Sequence, residues 1–209
     1  MRVRVRFQKL GKVRWTSHRD LARAWERAIR RVGLPIAYSQ GFSPHPKLHF
    51  GLALSTGHES LAEYLDLDLD PAADLPAAAE LGALAPALSG ALPTGVDVVA
   101  LGEIPTSLPS LQAAVVSCDW RIEVRGVAPG AVADGIARAL AAPELVLERE
   151  RKGKAVTDDV RPYLLDLAVV GATDAGTQID AHLATQPRGL RASELLAVIA
   201  PDEIGRAHV

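Results

Sequence analysis

The sequence predicts an α+β protein of two tandem ferredoxin-like, or partly ferredoxin-like, halves with antiparallel sheets. Three observations lead there: a strict apolar–polar alternation at the start, an amphipathic helical stripe directly after it, and a similar succession beginning again past a proline-bounded break near residue 105. Val3, Val5 and Phe7 alternate with Arg2, Arg4 and Arg6, the period-two pattern of a half-buried strand with an arginine-lined outer face. Ser17 followed by Asp20 resembles a capping box with Asp in the usual Glu place, so a helix is expected to start there. Leu21, Ala24, Trp25, Ala28, Ile29 and Val32 then form one apolar stripe, and Gly33 stands where the helix should stop. Opposite the stripe run Arg19, Arg23 and Arg27, with Arg30 and Arg31 beyond. Glu26 is the acid expected to offset part of their mutual repulsion, through Arg23 and Arg30.

An extended segment is expected around Ile36–Ser39, turns from Gly41 to Pro46, and a strand around Leu48–Leu54. Ala62–Leu69 alternates again, with Tyr64 in register with Asp66, Asp68 and Asp70. Residues 72–90 read as an Ala-rich helix broken or kinked near Pro86, and Val96–Leu101 as a short strand. Strand–helix–strand–strand–helix–strand is the ferredoxin-like order. Pro105–Pro109 reads as a linker, dividing a basic half, 1–104, from a second α+β half, 110–209. The second half starts similarly: strand Val115–Val124, helix Pro129–Ala141 with Pro near its start, and strand Leu145–Arg151. A polar turn at Lys152–Asp159, a strand at Val160–Val170, alternation at Ile179, Ala181 and Leu183, and a helix at Ala192–Ala200 complete it.

Charge is divided along the chain. Residues 1–50 hold twelve Lys or Arg against two acids, a formal +10, while residues 51–209 carry −12; the whole-chain −2 averages the two. A basic region of this kind attracts polyanions by counterion release, with RNA or DNA the commonest partner. The single cysteine, Cys118, excludes an intramolecular disulfide and any cysteine-built zinc or iron–sulfur site. Alternating arginines directly after Met1 are no secretory signal, and Asp74, Pro76, Glu80 and Pro86 interrupt the one Ala/Leu-rich stretch. A cytoplasmic protein without membrane association is expected. No glycine-rich phosphate loop, His-Glu-x-x-His or Gly-x-Ser-x-Gly motif is present, so no cofactor is expected and an enzyme has little support.

The most distinctive string runs from Gly41 to Gly51, Gly-Phe-Ser-Pro-His-Pro-Lys-Leu-His-Phe-Gly. If extended, it turns His45, Lys47 and His49 to one side and Leu48 and Phe50 to the other, with His18 in the same basic neighbourhood. Such a rigid loop suits a phosphate- or base-contacting platform. Paired imidazoles among His18, His45 and His49 would suit acid–base cleavage of RNA. A Pro-locked turn with satisfied histidines is the purely structural alternative. The spacings match no metal-ligand pattern, so no metal is expected. Farther on, Lys152-Gly153-Lys154 at a turn tip could touch phosphate, and Arg161 before Pro162 has an extended backbone expected to aim its guanidinium, with Asp158 or Asp159 as the structural partner. The expected nucleic-acid contacts are therefore Arg2, Arg4, Arg6, Arg19, Arg23, Arg27, His45, Lys47 and Arg161.

Several strings resemble one family: Arg-Val-Arg-Phe-x-Lys-x-Gly-x-x-Arg from Arg4, then Thr16-Ser17-His18-Arg19-Asp20-Leu21, then Gly33-Leu34-Pro35 through Tyr38-Ser39-x-Gly41-Phe42-Ser43-Pro44-x-Pro46-Lys47. Glu63-Tyr64 and Asp159-Val160-Arg161-Pro162-Tyr163 fit as well. The chain resembles the radical-SAM-linked protein family, a bacterial domain of unknown function found beside, or fused behind, radical-SAM enzymes with a cobalamin-binding-like domain. The resemblance implies an accessory protein with a radical-SAM enzyme as partner. Three functions follow as expectations: presentation of RNA or another anionic substrate to that enzyme, a metal-independent ribonuclease, or a protein-interaction module docking its basic helix on an acidic surface.

Overall fold

The structure, a computed structural model, describes residues 1–151 and 153–201. It forms two compact units, Met1–Val115 and the chain from Val116 onward. In the first, β1 (Arg2–Lys9), α1 (His18–Val32), β2 (Leu48–Phe50), β3 (Ser60–Asp68), α2 (Leu84–Ala91) and β4 (Val96–Ile104) follow one another. The sheet is antiparallel in the order β2-β3-β1-β4, the ferredoxin-like arrangement. Register explains its two faces. Val3 and Val5 lie opposite Leu67 and Leu65, and Leu48 and Phe50 lie opposite the same two leucines, so one face is apolar. Leu21, Trp25, Ala28 and Ile29 of α1 and Leu88 of α2 close over it, with the Trp25 ring meeting Phe7 edge-on at 5.0 Å.

The ends of α1 are set by its sequence. Ser17 Oγ accepts the Asp20 N–H at 3.2 Å and donates to the Asp20 carboxylate at 2.8 Å, and Gly33 ends the helix in the left-handed region at φ 75°. The Ala-rich stretch divides differently from its expected break: a 3-10 helix at Ala78–Ala83 gives way to α2 at Leu84. Pro86 sits in the first turn of α2, where its missing N–H costs nothing. Past β4, a single turn, α3 (Leu111–Ala114), packs back on this unit: Leu111 is buried and Gln112 Nε2 donates to the Phe50 carbonyl at 2.7 Å.

The second unit runs β5 (Ser117–Arg125), α4 (Pro129–Ala141), β6 (Val146–Arg151), β7 (Lys154–Asp159), β8 (Leu164–Thr173), β9 (Gly176–Ala184) and α5 (Ala192–Ile199). A three-stranded antiparallel sheet, β5-β9-β8, buries Thr177, Ile179, Ala181 and Leu183 from alternate positions of β9. Gly135 lets α4 meet α5, since a Cβ there would strike the Ile199 carbonyl. Among the described residues β6 and β7 pair only with each other, so most of the polar turn expected at Lys152–Asp159 is instead the strand Lys154–Asp159. β6 lies within the strand expected at Leu145–Arg151, whereas β7, Lys-Ala-Val-Thr-Asp-Asp, has no apolar period to betray it.

Candidate nucleic-acid interface

The burial of one side of α1 fixes what the other side presents. Arg19, Arg23, Arg27, Arg30 and Arg31 are all exposed. Arg23 reaches the exposed Asp20 carboxylate at 3.4 Å, a pair of little energetic weight. Among the described residues, the other four side chains have no ion pair or hydrogen bond. Glu26 forms no ion pair either, so the expected offset through Arg23 and Arg30 is not made. From Arg19 to Arg31 the row extends about 18 Å at 1.5 Å per residue.

The arginines of β1 are differently placed. They occupy the sheet face turned away from α1, opposite a row of β3: Arg2 faces Asp68, Arg4 faces Asp66 and Arg6 faces Tyr64. Arg4 grips the buried Asp66 through Nε at 2.8 Å and Nη2 at 2.9 Å. Arg2 grips Asp68 at 2.7 and 3.3 Å, and His49 Nε2 lies 3.2 Å from the same carboxylate. The Asp68 hydrogen bond and, likewise, that of Asp66 hold these two guanidiniums firmly in the charged form. Burial pushes the Asp68 carboxyl up, but the hydrogen bonds and charges of Arg2 and His49 outweigh it and leave it below its ordinary range. Arg6 alone of the three is exposed and, among the described residues, without an acid partner. The two arginine sets therefore lie on opposite sides of this helix-on-sheet unit and do not merge.

The Gly41–Gly51 string is pinned at its base. Ser39 N–H donates to the His45 carbonyl at 2.8 Å, the His45 N–H to Ser39 Oγ at 3.0 Å, and the Lys47 N–H to the Ala37 carbonyl at 2.9 Å. His45, Lys47 and His49 are exposed, while Leu48 and Phe50 are half-buried. Exposure thus alternates from His45 to Phe50, although the backbone is not extended at Lys47, where the Leu48 N–H closes a three-residue turn onto the Pro46 carbonyl. His18 stacks edge-on against Phe50 at 5.0 Å, on the helix side of the sheet. His49 is on the other side, so these two imidazoles do not flank one phosphodiester. Among the described residues no cluster of three His, Cys, Asp or Glu could hold a metal ion.

In the second unit Arg161 opens a 3-10 turn at Arg161–Tyr163 instead of extending before Pro162. Its guanidinium donates to the Leu164 carbonyl at 3.0 Å and the Leu140 carbonyl at 2.9 Å. Asp159 accepts the Arg161 and Leu145 backbone N–H groups, and Asp158 binds Arg149 at 2.6 Å. Lys152 lies outside the described residues, and so does the side chain of Lys154.

Two features escaped the sequence reading. Lys9 is buried, its Nζ donating to the Arg14 carbonyl at 3.4 Å and the Thr16 carbonyl at 3.2 Å. Burial lowers its pKa against the pull of Glu63, and its ammonium is turned inward onto two carbonyls instead of toward the surface. The signal was present: Lys9 has the parity of Val3, Val5 and Phe7. The second is Tyr38, half of whose surface is exposed at the base of the Pro-rich loop. Its one sequence signal is its place in the Tyr38–Lys47 string that carries the family resemblance.

Residues 2–191 match a family described as an uncharacterised protein conserved in bacteria (DUF2344). A search of the curated proteins finds no match.

Proposed function

Because the chain belongs to that bacterial family, whose description records no activity, we propose from its side chains that it binds RNA through α1 and acts as an accessory protein to a radical-SAM enzyme. One observation carries the first part: five exposed arginines on one helix, four of them without an acid partner among the described residues. Like charges at i,i+4 each cost an isolated helix about 0.2–0.5 kcal/mol, and an anionic ligand along the row reverses that cost. Polyphosphate supplies charge at the required density. The partner rests on the resemblance of the Arg4–Arg14, Thr16–Leu21 and Gly33–Lys47 strings.

The test of RNA binding is salt-dependent anisotropy with a labelled single strand. Contact with about four phosphates gives a slope of log K against log salt near −3, and Arg23→Glu with Arg27→Glu weakens binding several-fold. A flat salt dependence would overturn the reading. Co-expression with the radical-SAM enzyme encoded nearest the gene should give a complex on size-exclusion chromatography. If that complex forms but the chain binds no RNA, α1 is a docking face for an acidic protein.

A further inference from the structure

Beside the C-terminal half of α1 lies a groove of about 300 Å³, the small end of the range for ligand sites. Its lining includes Glu26, Ile29 and Arg30 of α1, and Ile36, Tyr38 and Pro46 from the segment that follows. Four properties bear on what it could hold. Arg30 is the continuation of the cationic row, so a chain of phosphates lying along α1 passes the groove's mouth. Tyr38 presents an aromatic surface that is 46% exposed, on backbone pinned by its bridge to Pro46. Ile29 is 2% exposed and supplies an apolar floor. Glu26 is half-buried, and among the described residues its carboxylate has neither an ion pair nor a hydrogen bond despite the arginines around it.

A second depression, of about 380 Å³, adjoins the other side of Gly33–Pro35. It is lined by Asp74 and Glu80 and by no basic residue, so phosphate is repelled there. Of these two grooves, the first combines cation, aromatic and acceptor.

Resting on the RNA reading above, we propose that the groove between α1 and Ile36–Pro46 holds one unpaired guanine of a single-stranded RNA. Tyr38 stacks on the base, Arg30 meets its phosphate, and Glu26 accepts its hydrogen bonds. Single-strand recognition works through splayed bases stacked on aromatic rings and bonded at their Watson–Crick edges. Guanine is the base whose edge sets two N–H donors, N1–H and the N2 amino group, side by side, the match for a two-oxygen acceptor. Uracil and cytosine each offer Glu26 a single donor group beside a repelling acceptor. The empty acceptor capacity of Glu26 inside a cationic groove is thereby filled.

The experiment compares three heptanucleotides, seven uridines and the same strand with a central guanosine or cytidine, with an RNA duplex and with guanosine monophosphate. The guanosine strand should bind at least fivefold tighter than the uridine strand, the low end of what a two-point base contact discriminates. Glu26→Gln should reduce that preference to less than twofold. Tyr38→Leu, which keeps apolar bulk for folding, should weaken all single strands at least fivefold and leave duplex affinity unchanged, while Tyr38→Phe retains single-strand binding. Guanosine monophosphate should compete only weakly, since it lacks the phosphates that follow α1; competition at the strand's own affinity would make the ligand a free nucleotide and overturn the RNA assignment. Equal affinity for the three strands, or equal loss on strand and duplex in Tyr38→Leu, sinks the guanine site while RNA binding stands. Failure of wild type to bind any RNA removes both.

Discussion

The row on β1 and the row on α1 are built from the same side chain within thirty residues of each other, and they do opposite things. On β1, register places two acids of β3 directly across from Arg2 and Arg4, and charge is consumed in forked hydrogen bonds. On α1, the spacing that buries Trp25 and Ile29 leaves five arginines facing water. A count of charges treats the rows alike. What separates them is whether the fold delivers a carboxylate to within 3 Å, and that makes Arg2 and Arg4 structural and the helix row available.

The largest effect should come from breaking the β1 row. Arg4→Ala leaves the buried Asp66 carboxylate unpaired and should cost about 3 kcal/mol in urea unfolding. The Arg4→Ala/Asp66→Ala double variant should recover part of this, and purely additive losses would show that the pair is not coupled. The α1 row should behave in reverse. Arg23→Glu with Arg27→Glu should leave unfolding free energy within about 0.5 kcal/mol of wild type, even as RNA binding falls. A matching loss of stability would put those arginines in the same class as Arg4.

The smallest effect separates the two rows by pH. Asp68 has a folded-state pKa below the unfolded value of 3.8, so its contribution is present above that pH. It is lost as pH falls through the lower folded value. Asp68→Asn should therefore reduce the rise of stability with pH in the window below 3.8. Substitutions at Arg27 or Arg31, which face no carboxylate, should leave that slope unchanged.

Local signals gave β1, α1 and their limits, because a period of two, a period of 3.6, a serine cap and a terminal glycine all act within a few residues. The Arg2/4/6 row and the Asp66/68/70 row were each visible as alternations. Their pairing was not, because register across some sixty residues is decided by Val3 and Val5 meeting Leu67 and Leu65 in the core. β6 lies within the strand expected at Leu145–Arg151, but β7 reads as a turn because charges fill most of the places where apolar residues announce a strand. Of the candidate site, exposure of His45, Lys47 and His49 followed from their types. The groove at Tyr38 and Glu26 arises from two segments meeting in space, and no spacing in the chain encodes it.

The pairing of β1 with β3 also has a consequence in time. Synthesis makes the arginines of β1 and α1 before it makes Asp66 and Asp68. During that interval Arg2 and Arg4 are as uncompensated as the helix row, and the nascent segment is far more cationic than the finished unit. Closing a loop of some sixty residues to bring β3 back is slow compared with winding α1. Arrival of the acidic strand is thus the event that withdraws two cations from solution and leaves the helix as the lasting basic surface.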